Sequence, residues 1–224
     1  MNKLKHYQKV SNEWDYLVNK KNSLSSKIFN FFVNFLVLKI INTELANSVI
    51  KNLKKKKIIE FGCGRATTSS LIFYKKSKVK ISVLDNNYQI IKYLKKKTNF
   101  NVIEANCLDK NIRKIGNYCI SFSSGTFEHF NKSQRIIYIK NMMKISRYGI
   151  IAVPAKNIFW NAASFIRSYT DKKNKSIWFD DFEQYDIKKI QKIFSTLNKY
   201  QLTNIRYTYN FFIKTFLIFE FKKK

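Results

Sequence analysis

The stretch Ile58-Ile59-Glu60-Phe61-Gly62-Cys63-Gly64-Arg65-Ala66-Thr67-Thr68 limits what this chain can fold into more than any other. Ile58 to Phe61 is a short β-branched apolar run straight after lysines 54–57, and it reads as a buried strand. Two glycines one residue apart follow it, and Ala66 to Lys75 is compatible with a helix. A strand, a glycine turn and a helix in that order bring the main chain close to a ligand. Glycine has no Cβ and tolerates φ > 0, and a helix start offers N–H groups that suit a carboxylate or phosphate. Two ligand classes compete for such a turn. A dinucleotide site wants a third glycine for close helix packing beside a pyrophosphate, and Thr67 stands in that place. Glu60, two residues before the first glycine, would repel a pyrophosphate but suits an ammonium or sulfonium.

The pattern after this turn alternates strand and helix. Val79 to Asp85 alternates apolar and polar residues and ends in an acid, 21 residues beyond Gly64. An acid at the tip of the second strand, about 20 residues on, is placed to take ribose hydroxyls. Asn87 to Lys97 puts Ile90, Ile91 and Leu94 on one helical face. Phe100 to Ala105 reads as a third strand running into Asn106-Cys107-Leu108-Asp109, and Tyr118 to Ser123 as a fourth leading into Ser124-Gly125-Thr126-Phe127-Glu128-His129-Phe130. Ser133 to Ile145 is a helix, Tyr148 to Pro154 a fifth strand, and Asp186 to Leu197 a further helix. Leu202 to Tyr209 and Ile213 to Phe221 close the chain as a hairpin. Such alternation predicts an α/β fold, a mainly parallel sheet with helices on both faces. Between the fifth strand and the last helix, Ala155 to Asp181 has no clear period and carries Trp160, Tyr169 and Trp178. A connection this long is usually functional, and a surface excursion packed on the domain is the plainer reading.

Two of these stretches carry a family resemblance. Glu60-Phe61-Gly62-Cys63-Gly64 resembles the first motif of class I S-adenosylmethionine (SAM) methyltransferases. Ser123 to Phe130 resembles the S-x-G-x-x-E-H run of the methyltransferases named for ubiquinone and menaquinone biosynthesis and their relatives, with Tyr118-Cys119 where relatives often place Phe-Asp. The resemblance covers Tyr7 to the C-terminus. It implies a Rossmann-like seven-stranded sheet in the order 3-2-1-4-5-7-6, the last strand antiparallel, with an N-terminal helical extension over residues 1–50 and the catalytic domain over 51–224. It also implies SAM as cofactor, bound by Glu60, Gly62, Gly64, Asp85, Asn106, Cys107 and Ser123, with Asn106 where the family commonly uses an Asp to accept from the adenine amine. Residues 155–182 would bind the acceptor through Trp160, Tyr169 and Trp178. His129 is the candidate base, having an ordinary pKa near neutrality; the alternative is that it only holds its turn together. Tyr7 to Asp15 resembles a cofactor lid, or is a plain surface helix.

Composition bounds the partners. Forty-three basic against fourteen acidic residues give +29. That charge suits a nucleic acid or an anionic membrane, or it reflects a bias toward Lys, Asn, Ile, Phe and Tyr. Only six of the basic residues are arginine, the side chain whose planar fork best matches phosphate and base edges. Three cysteines without C-x-x-C spacing and two histidines make a disulfide framework or metal site unexpected and suit a reducing cytoplasm. No secretory signal opens the chain. Ile28 to Ile41 is apolar but short of the roughly 20 residues a span needs, so it reads as a packed helix, or as one lying on a membrane surface. The expected function is methyl transfer to a small-molecule or lipid-like acceptor. The alternatives are an RNA or protein methyltransferase, or a non-catalytic binding protein on the same fold. Thr67 and the Glu128-His129 pair weaken a dehydrogenase reading.

Overall fold

The computed structural model describes residues 39–53, 57–157, 161, 183–210 and 212–224. Tyr7 to Asp15, most of Ile28 to Ile41, and Trp160, Tyr169 and Trp178 lie outside the described residues.

The described chain runs α1 (Lys39–Lys51), β1 (Lys57–Phe61), α2 (Thr67–Lys75), β2 (Lys80–Asp85), α3 (Tyr88–Lys97), β3 (Asn101–Glu104), β4 (Tyr118–Ser124), α4 (Lys132–Ile145), β5 (Ser146–Pro154), α5 (Ile187–Ser195), β6 (Tyr200–Asn210) and β7 (Ile213–Lys223). Single 3-10 turns at Ile112–Ile115 and Phe127–His129 flank β4. The seven strands form one sheet in the order β3-β2-β1-β4-β5-β7-β6. β1 to β5 pair in parallel, and β7 runs antiparallel to both of its neighbours. This is the order and the antiparallel strand that the family resemblance implies.

Alternation along the strands divides the core into two layers. Ile58, Ile150, Ala152 and Ile218 face one side and pack with Ile41, Leu45 and Val49 of α1, Ile72 of α2, and Ile90 and Leu94 of α3. Their neighbours Ile59, Ile151, Val153 and Phe219 face the other side, with Tyr138, Ile139 and Met142 of α4 and Ile190 and Phe194 of α5. A strand covered on both faces must be apolar at consecutive positions, which is why β1, β5 and β7 read as runs. α1 is the described end of the expected N-terminal extension, and its buried face belongs to the same layer as β1. No helix among the described residues is long and apolar enough to cross a membrane.

Helix starts follow local chemistry. Asn87 Oδ1 accepts from the Ile90 amide at 3.0 Å and Asp186 Oδ1 from Lys189 at 2.8 Å. Asn131 and Gln134 form a reciprocal capping box at α4. The start of α2 differs from the sequence reading: Ala66 stands outside the helix with φ 52°. That left-handed conformation, costly by about 1–2 kcal/mol for a residue with a Cβ, lets the glycine turn feed the helix at Thr67.

One glycine serves packing alone. Gly149 pairs with Phe221 across β5 and β7, and a Cβ at Gly149 would lie 2.3 Å from the Phe221 ring. The ring cannot withdraw, being packed on Phe194 and Phe219 at centroid distances of 5.2 and 5.9 Å. Gly149→Ala should therefore destabilise the fold by about 1–3 kcal/mol in chemical denaturation. Adding Phe221→Leu should recover part of that loss; strict additivity of the two changes would refute the contact.

Candidate functional site

β1 lies where the strand order reverses, with β2 and β3 on one side and β4 and β5 on the other. Successive connections leave this point in opposite directions, so the carboxyl ends of β1 and β4 border a crevice. Four sequence segments meet there.

The first is the glycine turn. Gly62 and Gly64 have φ of 60° and 50°. Gly62 is required for a second reason, close approach by the next strand over. Thr126 Oγ1, just beyond β4, donates to the Gly62 carbonyl at 3.0 Å, and a Cβ on Gly62 would sit 2.4 Å from that oxygen. The sequence reading kept this space for a ligand, whereas the threonine side chain fills it.

Asp85 ends β2 beside the turn. Its Oδ2 accepts from the Gly64 amide and its Oδ1 from the Asn87 amide, each at 3.0 Å. Burial raises its pKa, while the amides of Asn87, Gly64 and Asn86 pull it back down. A carboxylate oxygen accepts more than one hydrogen bond, so Asp85 braces the turn and keeps an acceptor direction on each oxygen.

Glu60 is only 3% exposed, and its Oε2 accepts from Ser69 Oγ at 2.6 Å and from the Ser69 amide at 3.3 Å. The expected cation-attracting carboxylate is thus bound to the first turn of α2, where a negative group also faces the favourable end of the helix dipole. Burial pushes its pKa up to about 7 against the Ser69 hydrogen bonds, with Asp85 adding repulsion.

The third segment follows β3. Asn106 Oδ1, the expected adenine acceptor, accepts from the Leu108 amide at 2.8 Å and so shapes its own turn. Cys107 is buried, its thiol pushed up by burial and by nearby Asp85. Asn141 of α4 holds this turn by donating to the carbonyls of Cys107 and Asp109, both at 2.9 Å.

The fourth segment follows β4. Ser123 is fully buried, donates to the Phe61 carbonyl at 3.0 Å and accepts from the Tyr138 hydroxyl at 2.6 Å. It acts on the site through the backbone that precedes Gly62. His129 is half-buried on the 3-10 turn, its amide donating to Thr126 O at 3.2 Å. Its neighbour Glu128 is 3% exposed, and Glu128 Oε2 has no hydrogen-bond partner. Burial pushes its pKa up to about 7, with Arg135 pulling the other way. Arg135 donates to the carbonyls of Glu128 at 3.1 Å and Phe127 at 3.4 Å, pairs with Glu183, and lies 5.2 Å from the Tyr185 ring. One guanidinium therefore ties the Glu128 turn to the residues where the chain returns beside β5.

Glu60, Gly62, Gly64, Asp85, Asn106, Cys107, Ser123 and His129 thus gather along one sheet edge, while Trp160, Tyr169 and Trp178 fall outside the described residues. Sequence reasoning missed Ser69, Thr126, Arg135 and Tyr138. Thr126 lies inside a stretch already singled out, but hydroxyls and a helix arginine carry no local signal of the partner they meet. Among the described residues no group of three or more His, Cys, Asp or Glu side chains could hold a metal ion.

No protein-family profile and no curated protein matches the chain. Solved structures do share the fold. Magnesium protoporphyrin IX methyltransferase from Synechocystis PCC 6803, with bound SAH, is 12% identical with a TM-score of 0.64, covering 99% of this chain and 94% of that one. A SAM-dependent methyltransferase from Archaeoglobus fulgidus is 14% identical with a TM-score of 0.61 over 88% of this chain and 99% of that one. A protein described as a putative zinc-dependent alcohol dehydrogenase from Rhodobacter sphaeroides is 8% identical with a TM-score of 0.62, over 80% of this chain and 88% of that one. The likeness is to the class I methyltransferase fold, and at these identities it speaks for architecture rather than chemistry.

The Glu128 carboxyl makes a signed prediction. Its folded pKa of about 7 stands above the ordinary 4.5. Folded protein therefore holds a proton that unfolded protein has lost, and stability falls as pH rises from 4.5 through 7. Glu128→Gln should be close to wild type in melting temperature at pH 4.5. It should be more stable than wild type at pH 8, by on the order of 2–3 kcal/mol. A difference that does not change with pH would contradict the assignment.

Proposed function

We propose that this chain is a SAM-dependent methyltransferase acting on a small-molecule or lipid-like acceptor. The observation that carries the reading is Asp85, a carboxylate fixed against the Gly64 amide at the crevice with acceptor capacity left for two ribose hydroxyls. The surroundings fit the same ligand. Gly64, with φ of 50°, lets it approach the main chain, and Asn106 Oδ1 keeps a second lone pair for the adenine amine beside its bond to Leu108. Glu60, Cys107 and Ser123 support that frame from beneath.

When bound, SAM supplies a methyl carbon on a positively charged sulfur. The acceptor's lone pair takes the methyl, the carbon–sulfur bond breaks with its electrons going to sulfur, and a proton leaves the acceptor. This chain's part is to hold both partners in line and exclude water. His129 and Glu128 stand together beyond β4, and either can receive that proton. Glu128 adds a pKa of about 7 and an unpartnered oxygen. Trp160, Tyr169 and Trp178 remain the proposed acceptor residues, and a reducing cytoplasm the proposed compartment.

Calorimetry with SAM tests the reading without an acceptor. Asp85→Ala removes two hydrogen bonds to a charged group, each worth roughly 1.5–3 kcal/mol, so affinity should fall about a hundredfold or more. Asp85→Asn, which keeps one acceptor oxygen, should lie between. Equal affinity in Asp85→Ala would end the assignment. Wild type should also release protons on binding SAM at pH 7. The ligand's positive charges favour ionised Glu60, whose pKa is about 7 beforehand. The binding enthalpy should therefore vary with the ionisation enthalpy of the buffer, and an enthalpy independent of buffer would show that no group near the ligand titrates.

A further inference from the structure

The tip of the β6–β7 hairpin is apolar and exposed. Tyr209 is 52% exposed, Phe212 98% and Ile213 47%. Nothing in the fold asks for these residues, since tight turns are usually built from Gly, Asn, Asp and Pro. Their place in the molecule is defined by the strand registers. Glu60 is level with Phe122, Ser124 with Ala152, and Ala152 with Ile218, so Gly62 lies level with Ile218. Ile213 is five residues further along β7, or about 16 Å beyond the glycine turn at the strand rise. The hairpin therefore projects past the edge that carries Gly62, Asp85 and Glu128.

We propose that this tip docks the protein on an anionic lipid surface, with the candidate site turned toward the bilayer. The inference deepens the lipid-like half of the proposed acceptor class and rests on that reading of the crevice. Three observations favour lipid over a protein partner or a nucleic acid. The three described side chains at this turn make a patch far below the roughly 800 Å² that a stable protein interface needs on each partner, but they suffice to enter a headgroup layer. Ile213 offers no aromatic face, so base stacking would leave it unused. The charge is complementary to anionic lipid: no acidic residue occurs between Asp186 and Glu220, exposed Lys214 and Lys156 lie beside the tip, and the chain carries +29. Asn157 Nδ2 donates to the Lys214 carbonyl, tying the base of the hairpin to the end of β5.

The test is sedimentation of the full chain with phosphatidylcholine vesicles, with and without phosphatidylglycerol. Binding should require phosphatidylglycerol and weaken with salt. Phe212→Ser/Ile213→Ser should lower it about a hundredfold, at roughly tenfold for each buried apolar side chain, and Lys214→Gln about fivefold. Phe212→Leu, which keeps the apolar bulk, should retain it. Melting temperature and SAM affinity should be unchanged throughout, because the substituted side chains are exposed and away from Asp85. Absence of vesicle binding, or equal binding by the double serine variant, overturns the proposal. So does a variant that loses single-stranded RNA affinity while keeping its vesicles. If SAM does not bind wild type, the methyltransferase reading fails on its own, and the vesicle result still decides the docking.

Discussion

The contact between Gly62 and Thr126 is the constraint on which the rest of the site depends. β1 and β4 are neighbours whose connections leave in opposite directions, and beyond their ends nothing in the sheet ladder holds them together. Thr126 bridges that point by reaching the Gly62 carbonyl, and it can do so only because Gly62 has no Cβ. The glycine is thus both the left-handed corner of the turn and the vacant volume into which the next strand leans.

From that bridge, support spreads outward in hydrogen bonds of definite direction. Ser123 and Tyr138 hold the Phe61 carbonyl from the α4 side. Asp85 holds the Gly64 amide from the β2 side, and Glu60 holds Ser69 from beneath. A buried polar network gains most when every member is satisfied. Glu128 Oε2 stands apart from that arrangement, and an unpaired buried oxygen costs about 1–3 kcal/mol. That cost falls beside the candidate site, at a group proposed above to receive the acceptor's proton.

Acidic groups near neutrality and a basic surface act at different ranges. Glu60 and Glu128 titrate near pH 7 because burial removes their water. Most of the lysines among the described residues lie in solvent, where a Debye length of about 8 Å confines their fields. The surface charge therefore bears on which large partner approaches, and the buried carboxyls on what happens once a ligand is held.

Much of this was legible in the residues. β-branched runs, two glycines and an acid at the next strand tip specify a parallel sheet with a ligand edge, because each depends on local backbone chemistry or period. The strand order came from resemblance, since periodicity says nothing of which strands adjoin. Tertiary structure alone decided how the side chains share the work. Glu60 reads as a free carboxylate and is bound to Ser69. Asn106 reads as an adenine acceptor and also closes its own turn. Ala66 reads as helix and turns left-handed. Arg135 donates to the Glu128 carbonyl and pairs with Glu183, 48 residues further along the chain. In each case the partner lies on another element or is created by the turn itself, and a hydrogen bond's direction exists only once the backbone is in place.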